Sequence, residues 1–429
     1  LYPRDLETGG SIVSVAGVVD RTKDDYSDFA VKVFRGDTLH AELVQALAFS
    51  GNAAPFSLQI PIVAELAMYR FEAYGRKAGS ETLLQSADSI VSGDVFIIEG
   101  QSNAEAEQKG GDANTSRINI SPYIRAFGWG HDDPSKIDTA WHIGQGDGER
   151  NTPGNTGQWG IRMARLIVDN QGIPVAIFNG AHGGRPIGFF HANEADPGDI
   201  NTNYGRLLFR LEKTGYAKKA RAIFWYQGES SAYGENMLGT EAYYDEFTRL
   251  YGNWRRDYEG FEKVYLFQIR NGCANRTVAG IARIKEAHRL IAERNEGVGI
   301  MSTSGINHGG DGCHYGYPEG YKHIGKHIYD LAARDLYGVP ADNIEPPDIR
   351  FAESTGEKEI TLYMKRILDS LEWVKESPAY FDLTGSQAKV IAGRTEGNRV
   401  ILTLSGSASA VTAISFLGHN EKPEPMVYN

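Results

Sequence analysis

Residues 94–103 read Asp-Val-Phe-Ile-Ile-Glu-Gly-Gln-Ser-Asn. The apolar run at its start shows no polar alternation, which is typical of a strand buried on both faces of a parallel sheet. A glycine and short polar residues follow at once, so the strand ends in a turn that carries Ser102 and Asn103. The stretch therefore predicts a central strand of an α/β sheet, with a hydroxyl group just beyond its carboxyl end.

Outward from this stretch, strand and helix patterns alternate along the chain. The segments between the strands have helical spacing of their apolar residues, and residues 243–258 are typical of them. Further buried-strand runs lie at residues 175–178, 222–226, 264–267 and 298–301. This alternation predicts a three-layer α/β/α domain over residues 93–340, with a parallel sheet between two layers of helices.

Both flanks of this domain show short alternating strands instead. Residues 1–92 predict a β-sandwich-like domain, although a β-rich extension of the main domain would give the same pattern. The Glu345-Pro-Pro-Asp348 run marks a second break, after which residues 341–429 predict a small β-rich domain. The predicted fold class is α/β, flanked by two small all-β domains.

The overall charge excludes some partners. The 429 residues include 44 Lys and Arg against 55 Asp and Glu, a formal net charge of −11. An acidic chain gains nothing from phosphate neutralisation, so we expect no nucleic-acid partner. No stretch approaches the ~18 apolar residues that a membrane span requires. Because the sequence begins at Leu1, we expect a signal peptide to have been removed and the protein to be secreted, periplasmic or on the cell surface.

Ligands of an open α/β sheet bind beyond the carboxyl ends of its strands, so the residues that follow each strand are the candidate site. A serine nucleophile needs a base that a third group orients, and its oxyanion needs fixed donors. The predicted strand ends offer a hydroxyl, imidazoles, carboxylates, amides and adjacent glycines: Ser102, His308, His314, Asp311, Glu229, Asn103, Gln227, Gly183 and Gly184. This set predicts a hydrolase that forms an ester intermediate.

Three of these blocks resemble a known superfamily. Gly100-Gln-Ser-Asn103, Trp225-Tyr-Gln-Gly-Glu229 and Asp311-Gly-Cys-His314 resemble the signature blocks of the SGNH (GDSL) hydrolases. They are most similar to the branch that holds sialate O-acetylesterases and the acetylxylan esterases of carbohydrate esterase family six. The resemblance implies a flavodoxin-like SGNH hydrolase fold and a serine esterase that deacetylates sialic acid or a plant or algal polysaccharide. It implies neither a metal nor an organic cofactor.

The resemblance also implies roles for individual residues. Ser102 matches the nucleophile and His314 matches the base. The backbone N–H groups of Ser102 and Gly184, with the Gln227 side chain, match the donors of the oxyanion hole. Asn103 and Arg185 are expected to contact substrate.

The residue that orients His314 stays open at this stage. Asp311 lies three residues before His314 on the same loop, and Glu229 follows a different strand. The Gln-Gly-Glu block slightly favours Glu229.

The long segment after the first strand of the α/β domain has little periodicity, as binding loops often do. It carries three tryptophans, Trp129, Trp141 and Trp159. We expect them, Trp159 in particular, to stack on a sugar. The alternative is that they pack the segment onto the body of the domain.

Other hypotheses remain beside the esterase. Cys273 and Cys313 follow neighbouring strands and could form a disulfide, or remain free thiols. The spacing of His308, Asp311 and His314 is a weak pattern for metal ligands. The chain could act on another small acyl ester, or bind glycans without catalysis. Neither the glycan nor the oligomeric state follows from the sequence.

Overall fold

The computed structural model describes residues 1–129, 132–273, 277–307, 309–341, 344–365 and 371–416, and the backbone of residues 427–428. Within this part of the chain, no helix is long and apolar enough to cross a membrane.

The amino-terminal strands form two antiparallel sheets, one of β2 and β5 and one in the order β4-β3-β6-β7. Both sheets contribute to one apolar core, in which Ile60 and Val33 are fully buried. β1 instead pairs in parallel with residues 92 and 93 and so joins the central sheet. The strands are β1 (Tyr2–Pro3), β2 (Gly10–Asp20), β3 (Asp28–Arg35), β4 (Thr38–Ala46), β5 (Ala53–Val63), β6 (Tyr69–Lys77) and β7 (Ser80–Ile90).

The central sheet follows in chain order with six helices among the described residues. Its strands are β8 (Ser92–Gly100), β9 (Ile124–Phe127), β10 (Trp141–Ile143), β11 (Val175–Asn179), β12 (Ala220–Tyr226), β13 (Lys263–Gln268) and β14 (Val298–Ser302). The helices are α1 (Ser102–Glu105), α2 (Gln158–Gln171), α3 (Asn203–Thr214), α4 (Thr240–Asp257), α5 (Val278–Arg294) and α6 (Lys322–Tyr337).

β8 lies in the middle of this sheet, whose order is β10-β9-β11-β8-β12-β13-β14. Every residue of β8 is buried, as the apolar run predicts for a strand covered on both faces. Burial of each large apolar side chain, such as Phe96 or Ile97, stabilises the fold by about 1.5–3 kcal/mol. Apart from β10, the strands between β9 and β14 run parallel, so their carboxyl ends meet at one edge.

The helices cover the sheet because their apolar positions repeat with helical spacing. α2 packs against α6, and α4 packs against α5. α2 ends at Gly172, whose φ of 67° is the left-handed conformation that favours glycine at a helix end. The predicted α/β fold with a central, mainly parallel sheet is confirmed.

The carboxy-terminal strands form small antiparallel sheets around a separate core that contains Val400 and Leu402. The main sheet has the order β15-β16-β20-β19. The strands are β15 (Ile349–Gly356), β16 (Glu359–Met364), β17 (Glu372–Trp373), β18 (Phe381–Thr384), β19 (Val390–Thr395), β20 (Arg399–Leu404), β21 (Ala413–Phe416) and β22 (Val427–Tyr428). The prediction of small all-β regions on both flanks is confirmed.

Candidate active site

Ser102 lies at the centre of the sheet edge, directly after β8. The turn before it requires Gly100, because a Cβ atom there would lie 2.1 Å from the carbonyl oxygen of Tyr226 on β12. The φ of Gly100 is 133°, which also favours glycine. The close approach of β8 and β12 therefore fixes the backbone position of Ser102.

The structure brings Ser102 together with the predicted base and one of the two predicted carboxylates. Ser102 Oγ lies 2.8 Å from His314 Nε2. His314 Nδ1 lies 2.5 Å from Asp311 Oδ2. This is the arrangement in which a hydroxyl can pass its proton to an imidazole that a carboxylate orients.

Asp311 also organises the loop around His314. Its Oδ1 atom accepts hydrogen bonds from the backbone N–H groups of Cys313 and His314, both at 2.9 Å. Partial burial acts to raise the pKa of Asp311, but the hydrogen bonds from His314 and from these N–H groups outweigh it, and the pKa lies below its ordinary value. Asp311 therefore stays ionised, and its charge would favour a protonated imidazole at His314.

Glu229 does not orient His314, so the preference for Glu229 is wrong. Both ring nitrogens of His314 are occupied, one by Asp311 and one by Ser102. Glu229 is fully buried, and its Oε1 atom accepts a hydrogen bond of 2.9 Å from Asn103 Nδ2. Because Asp311 lies three residues before His314 on the same loop, its carboxylate already occupies the hydrogen-bonding position at Nδ1.

Asn103 is also buried, which contradicts the prediction that it contacts substrate. Its Nδ2 group donates to Glu229 and, at 3.3 Å, to the carbonyl oxygen of Cys313. Its Oδ1 atom accepts from the Tyr321 hydroxyl at 2.9 Å. Asn103 therefore ties the turn that carries Ser102 to the loop that carries His314.

Trp159 is fully buried in α2, and the prediction that it stacks on a sugar is wrong. Its Nε1 group donates to the backbone oxygen of Asn103 at 2.8 Å, and its ring packs at 4.7 Å from that of Phe267. Helical spacing places it on the core face of the helix. Trp141 packs against Phe127 at 5.2 Å, in accord with the alternative that these side chains hold the segment onto the body.

The amide of Gln227 is used inside the protein, in contrast to the prediction that it donates to an oxyanion. Its Nε2 group donates to Gln101 Oε1 at 3.2 Å, to the carbonyl oxygen of Arg185 at 3.2 Å and to Ser231 Oγ at 3.1 Å. Its Oε1 atom accepts from the Tyr243 hydroxyl at 2.8 Å. With these acceptors the amide protons are not available to a substrate.

The Gly-rich loop after β11 lies beside the serine. A Cβ atom on Gly183 would lie 3.5 Å from Ser102 Cβ and 2.8 Å from Glu105 Oε2. Gly184 is exposed and has a φ of 72°. Arg185 is exposed too, and its guanidinium lies 4.7 Å from the centroid of the Phe189 ring.

A disulfide joins Cys273 to Cys313, the residue just before His314. The hypothesis of a disulfide is thus confirmed over that of free thiols. The bond links the loop after β13 to the loop after β14. The disulfide therefore holds the loop that carries Asp311 and His314, in addition to the hydrogen bonds from Asn103 and to Asp311.

A carboxylate that sequence reasoning missed lies next to the serine. Glu105 is 8% exposed, at the end of α1. It lines a cavity of about 260 Å³ whose other walls come from Glu107, Glu149, Arg150, Asn151, His182 and Gly183. Glu105 lies three residues after Ser102, and residues at this spacing in a helical turn lie on the same face. That spacing is the sequence signal that could have identified Glu105.

Among the described residues, no group of three or more His, Cys, Asp or Glu side chains is placed to hold an ion. His308 lies outside the described residues.

Comparison with known proteins agrees with this geometry. A solved structure that aligns with the whole chain at a TM-score of 0.67 shows a shared fold. A family model described as carbohydrate esterase, sialic acid-specific acetylesterase, matches residues 92–334, more than half of the chain. The chain belongs to this carbohydrate esterase family and is a carboxylic ester hydrolase. Comparison with curated protein sequences gives no match.

Individual solved structures show how far the likeness extends. A carbohydrate acetylesterase from Xanthomonas citri is 18% identical, with a TM-score of 0.67, over 100% of this chain and 94% of that one. A protein from Arabidopsis thaliana is 17% identical, with a TM-score of 0.44, over 57% of this chain and 99% of that one. A family two carbohydrate esterase from Clostridium thermocellum, in complex with cellohexaose, is 12% identical, with a TM-score of 0.34, over 77% and 91%.

Proposed function

We propose that this chain is a serine esterase that removes O-acetyl groups from a carbohydrate through an acetyl-enzyme intermediate on Ser102. The observation that carries the proposal is the continuous hydrogen-bonded series from Ser102 Oγ to His314, at 2.8 Å, and from His314 to Asp311, at 2.5 Å. The family match supports the acetyl ester of a carbohydrate as the substrate.

The reaction follows from these contacts in two halves. Ser102 Oγ attacks the carbonyl carbon of the acetyl group while His314 Nε2 takes the hydroxyl proton. The tetrahedral intermediate collapses, the ester C–O bond breaks, and the sugar oxygen leaves with that proton. Water then attacks the acetyl-serine, with its proton going to His314, and acetate leaves as the proton returns to Ser102.

Two backbone N–H groups are the proposed donors to the oxyanion. Ser102 is the first residue of α1, where an N–H group has no acceptor within the helix. Gly184 lies on the adjacent exposed loop, whereas the N–H group of Gly183 is bonded to Glu105. A donor of this kind contributes a factor of about 10²–10³ in kcat.

The disulfide bears on where the reaction takes place. Disulfides persist in oxidising compartments and are rare in the cytosol. The bond between Cys273 and Cys313 therefore supports a secreted, periplasmic or cell-surface location.

Kinetics of one variant test the proposal. Hydrolysis of 4-nitrophenyl acetate, and release of acetate from acetylated polysaccharides, are measured for the wild type and for Ser102→Ala. We expect Ser102→Ala to abolish both activities, and the exposed Ser407→Ala in the carboxy-terminal β region to keep them. Equal rates for the wild type and Ser102→Ala would contradict the proposal. Hydrolysis of 4-nitrophenyl acetate without release from any acetylated glycan would favour an esterase for another small acyl ester.

A further inference from the structure

The cavity next to Ser102 contains more acidic than basic groups. Three of its lining side chains are carboxylates, Glu105, Glu107 and Glu149, and one is the guanidinium of Arg150. At about 260 Å³ it is slightly smaller than typical pockets for drug-sized ligands, which are about 300–1,000 Å³. It therefore suits a ligand of about one small ring.

The Arg150 guanidinium already pairs with carboxylates of the protein. Its Nη1 and Nη2 groups donate to Asp132 at 3.1 and 2.9 Å, and its Nε group lies 3.7 Å from Glu105 Oε1. The Lys109 ammonium, outside the lining, lies 3.1 Å from Glu107. An anionic ligand entering this cavity would have to displace these pairs, and the described residues of the wall offer it no free cation near Glu105.

His182 contributes an imidazole ring to the cavity wall. The residue is 7% exposed and lines the cavity. Its buried Nε2 atom makes no hydrogen bond within the described part of the chain, and Asp132 Oδ1 is 3.4 Å away. Burial, with the nearby charge of Arg150, lowers the pKa of His182, so the ring is neutral near pH 7 and carries no charge for an anion.

Glu105 is close enough to Ser102 to contact a bound sugar. Gly183 lies between them, at the position where a Cβ atom would be 3.5 Å from Ser102 Cβ and 2.8 Å from Glu105 Oε2. Burial raises the pKa of Glu105 to about 7, against the hydrogen bond from Gly183. Such a carboxyl can both accept a hydrogen bond from a hydroxyl and, when protonated, donate one.

We infer that this cavity binds the uncharged ring of an acetylated neutral sugar, that Glu105 contacts its hydroxyl groups, and that a ring carrying a carboxylate is disfavoured there. The inference rests on the proposed function and names its substrate class. It makes Glu105 a specificity-determining residue, because a ligand carboxylate would face a buried group of like charge.

A matched pair of substrates tests the inference. An acetylated methyl xyloside and the acetylated methyl glucuronoside of the same ring configuration differ by one carboxylate. Release of acetate is measured at pH 8, above the pKa of Glu105, for the wild type, Glu105→Gln and Glu212→Gln. Glu212 is an exposed carboxylate of α3 and serves as the control.

We expect the wild type to prefer the xyloside by about tenfold or more in kcat/KM, the ratio that corresponds to ~1.4 kcal/mol. Glu105→Gln should reduce this ratio, while Glu212→Gln should leave it unchanged. A wild-type ratio near one, a preference for the glucuronoside, or a ratio that Glu105→Gln does not change would overturn the inference. A loss of glucuronoside activity alone in Arg185→Gln would overturn it too, because Arg185 would then hold the carboxylate.

The controls separate this result from the proposed function. Hydrolysis of 4-nitrophenyl acetate by the wild type, but not by Ser102→Ala, establishes the esterase before the sugars are compared. No hydrolysis by the wild type would overturn both proposals. Hydrolysis of 4-nitrophenyl acetate with the glucuronoside as the better sugar would leave the esterase standing and overturn the inference alone.

Discussion

Ser102 and His314 reach the same point by different structural means. Ser102 follows the fully buried strand β8 at the centre of the sheet, and backbone pairing with β12 sets its place. His314 lies on an irregular loop after β14, held by a disulfide, by Asn103 and by the Asp311 carboxylate. Regular structure thus places the proposed nucleophile, whereas specific side-chain contacts place the proposed base. Substitutions that remove those contacts should displace the His314 loop before they displace Ser102.

Among the contacts that hold His314, the largest expected effect comes from removing the Asp311 carboxylate. Asp311→Asn should lower kcat by up to ~10⁴, because the asparagine favours the wrong tautomer of the imidazole and does not stabilise the imidazolium. Glu229→Gln should lower kcat far less, since its amide oxygen can still accept from Asn103. Steady-state kinetics of both variants, with folding checked by circular dichroism, decide between them. A collapse in Glu229→Gln alone would reverse our assignment.

Removal of the disulfide should loosen the histidine loop without disturbing β8. We expect the double variant Cys273→Ser, Cys313→Ser to lose about 2–5 kcal/mol of unfolding free energy. Its kcat should fall while Ser102 keeps its position after β8. Chemical denaturation and kinetics measure the two effects. An unchanged kcat in the double variant would show that Asp311 and Asn103 hold the loop without the bond.

Asn103 connects the turn that carries Ser102 to the loop that carries His314, so its truncation should affect both stability and catalysis. Asn103→Ala leaves Glu229 and the Cys313 carbonyl without this donor and should cost about 1.5–3 kcal/mol of unfolding free energy, the range for hydrogen bonds to charged groups. We also expect kcat to fall more than KM rises. The exposed Asn236→Ala is the matched control. Wild-type stability and kcat in Asn103→Ala would show that the tie between the loops is dispensable.

The smallest expected effect is on the acid dependence of stability. The pKa of Asp311 is lower in the folded protein than its ordinary value, so its contribution is present above about pH 4, the unfolded pKa of an Asp, and is lost as the pH falls further. The difference in unfolding free energy between the wild type and Asp311→Asn should therefore be constant above about pH 4 and shrink below it. Chemical denaturation from neutral to acid pH measures it. A difference that grows in acid would contradict the lowered pKa.

The sequence predicted the elements whose burial leaves a periodic pattern. β8 and Ser102 were predicted because an apolar run and a turn are local signals. β7 was missed because all but its last residue are exposed, so no apolar alternation marks it. β9 was missed because it has four residues within a long irregular segment.

The site was predicted less completely, because contacts between distant residues decide it. Glu229 and Asp311 both follow strands, and the pattern could not say that Asp311 alone reaches His314. Trp159 was expected at the surface, but the first turn of α2 places it in the core. Gln227 was expected to face the substrate, but Gln101, Ser231 and the Arg185 carbonyl compete for its amide.

One measurement tests the esterase mechanism most directly. The wild type and Ser102→Ala are mixed with 4-nitrophenyl acetate, quenched in acid within the first turnovers, digested and analysed by mass spectrometry. We predict one acetyl group on the peptide that contains Ser102 in the wild type, and none in the variant. Release of acetate by the wild type without acetylation of Ser102 would contradict the account. So would acetylation of a different residue that forms and is hydrolysed at the rate of turnover.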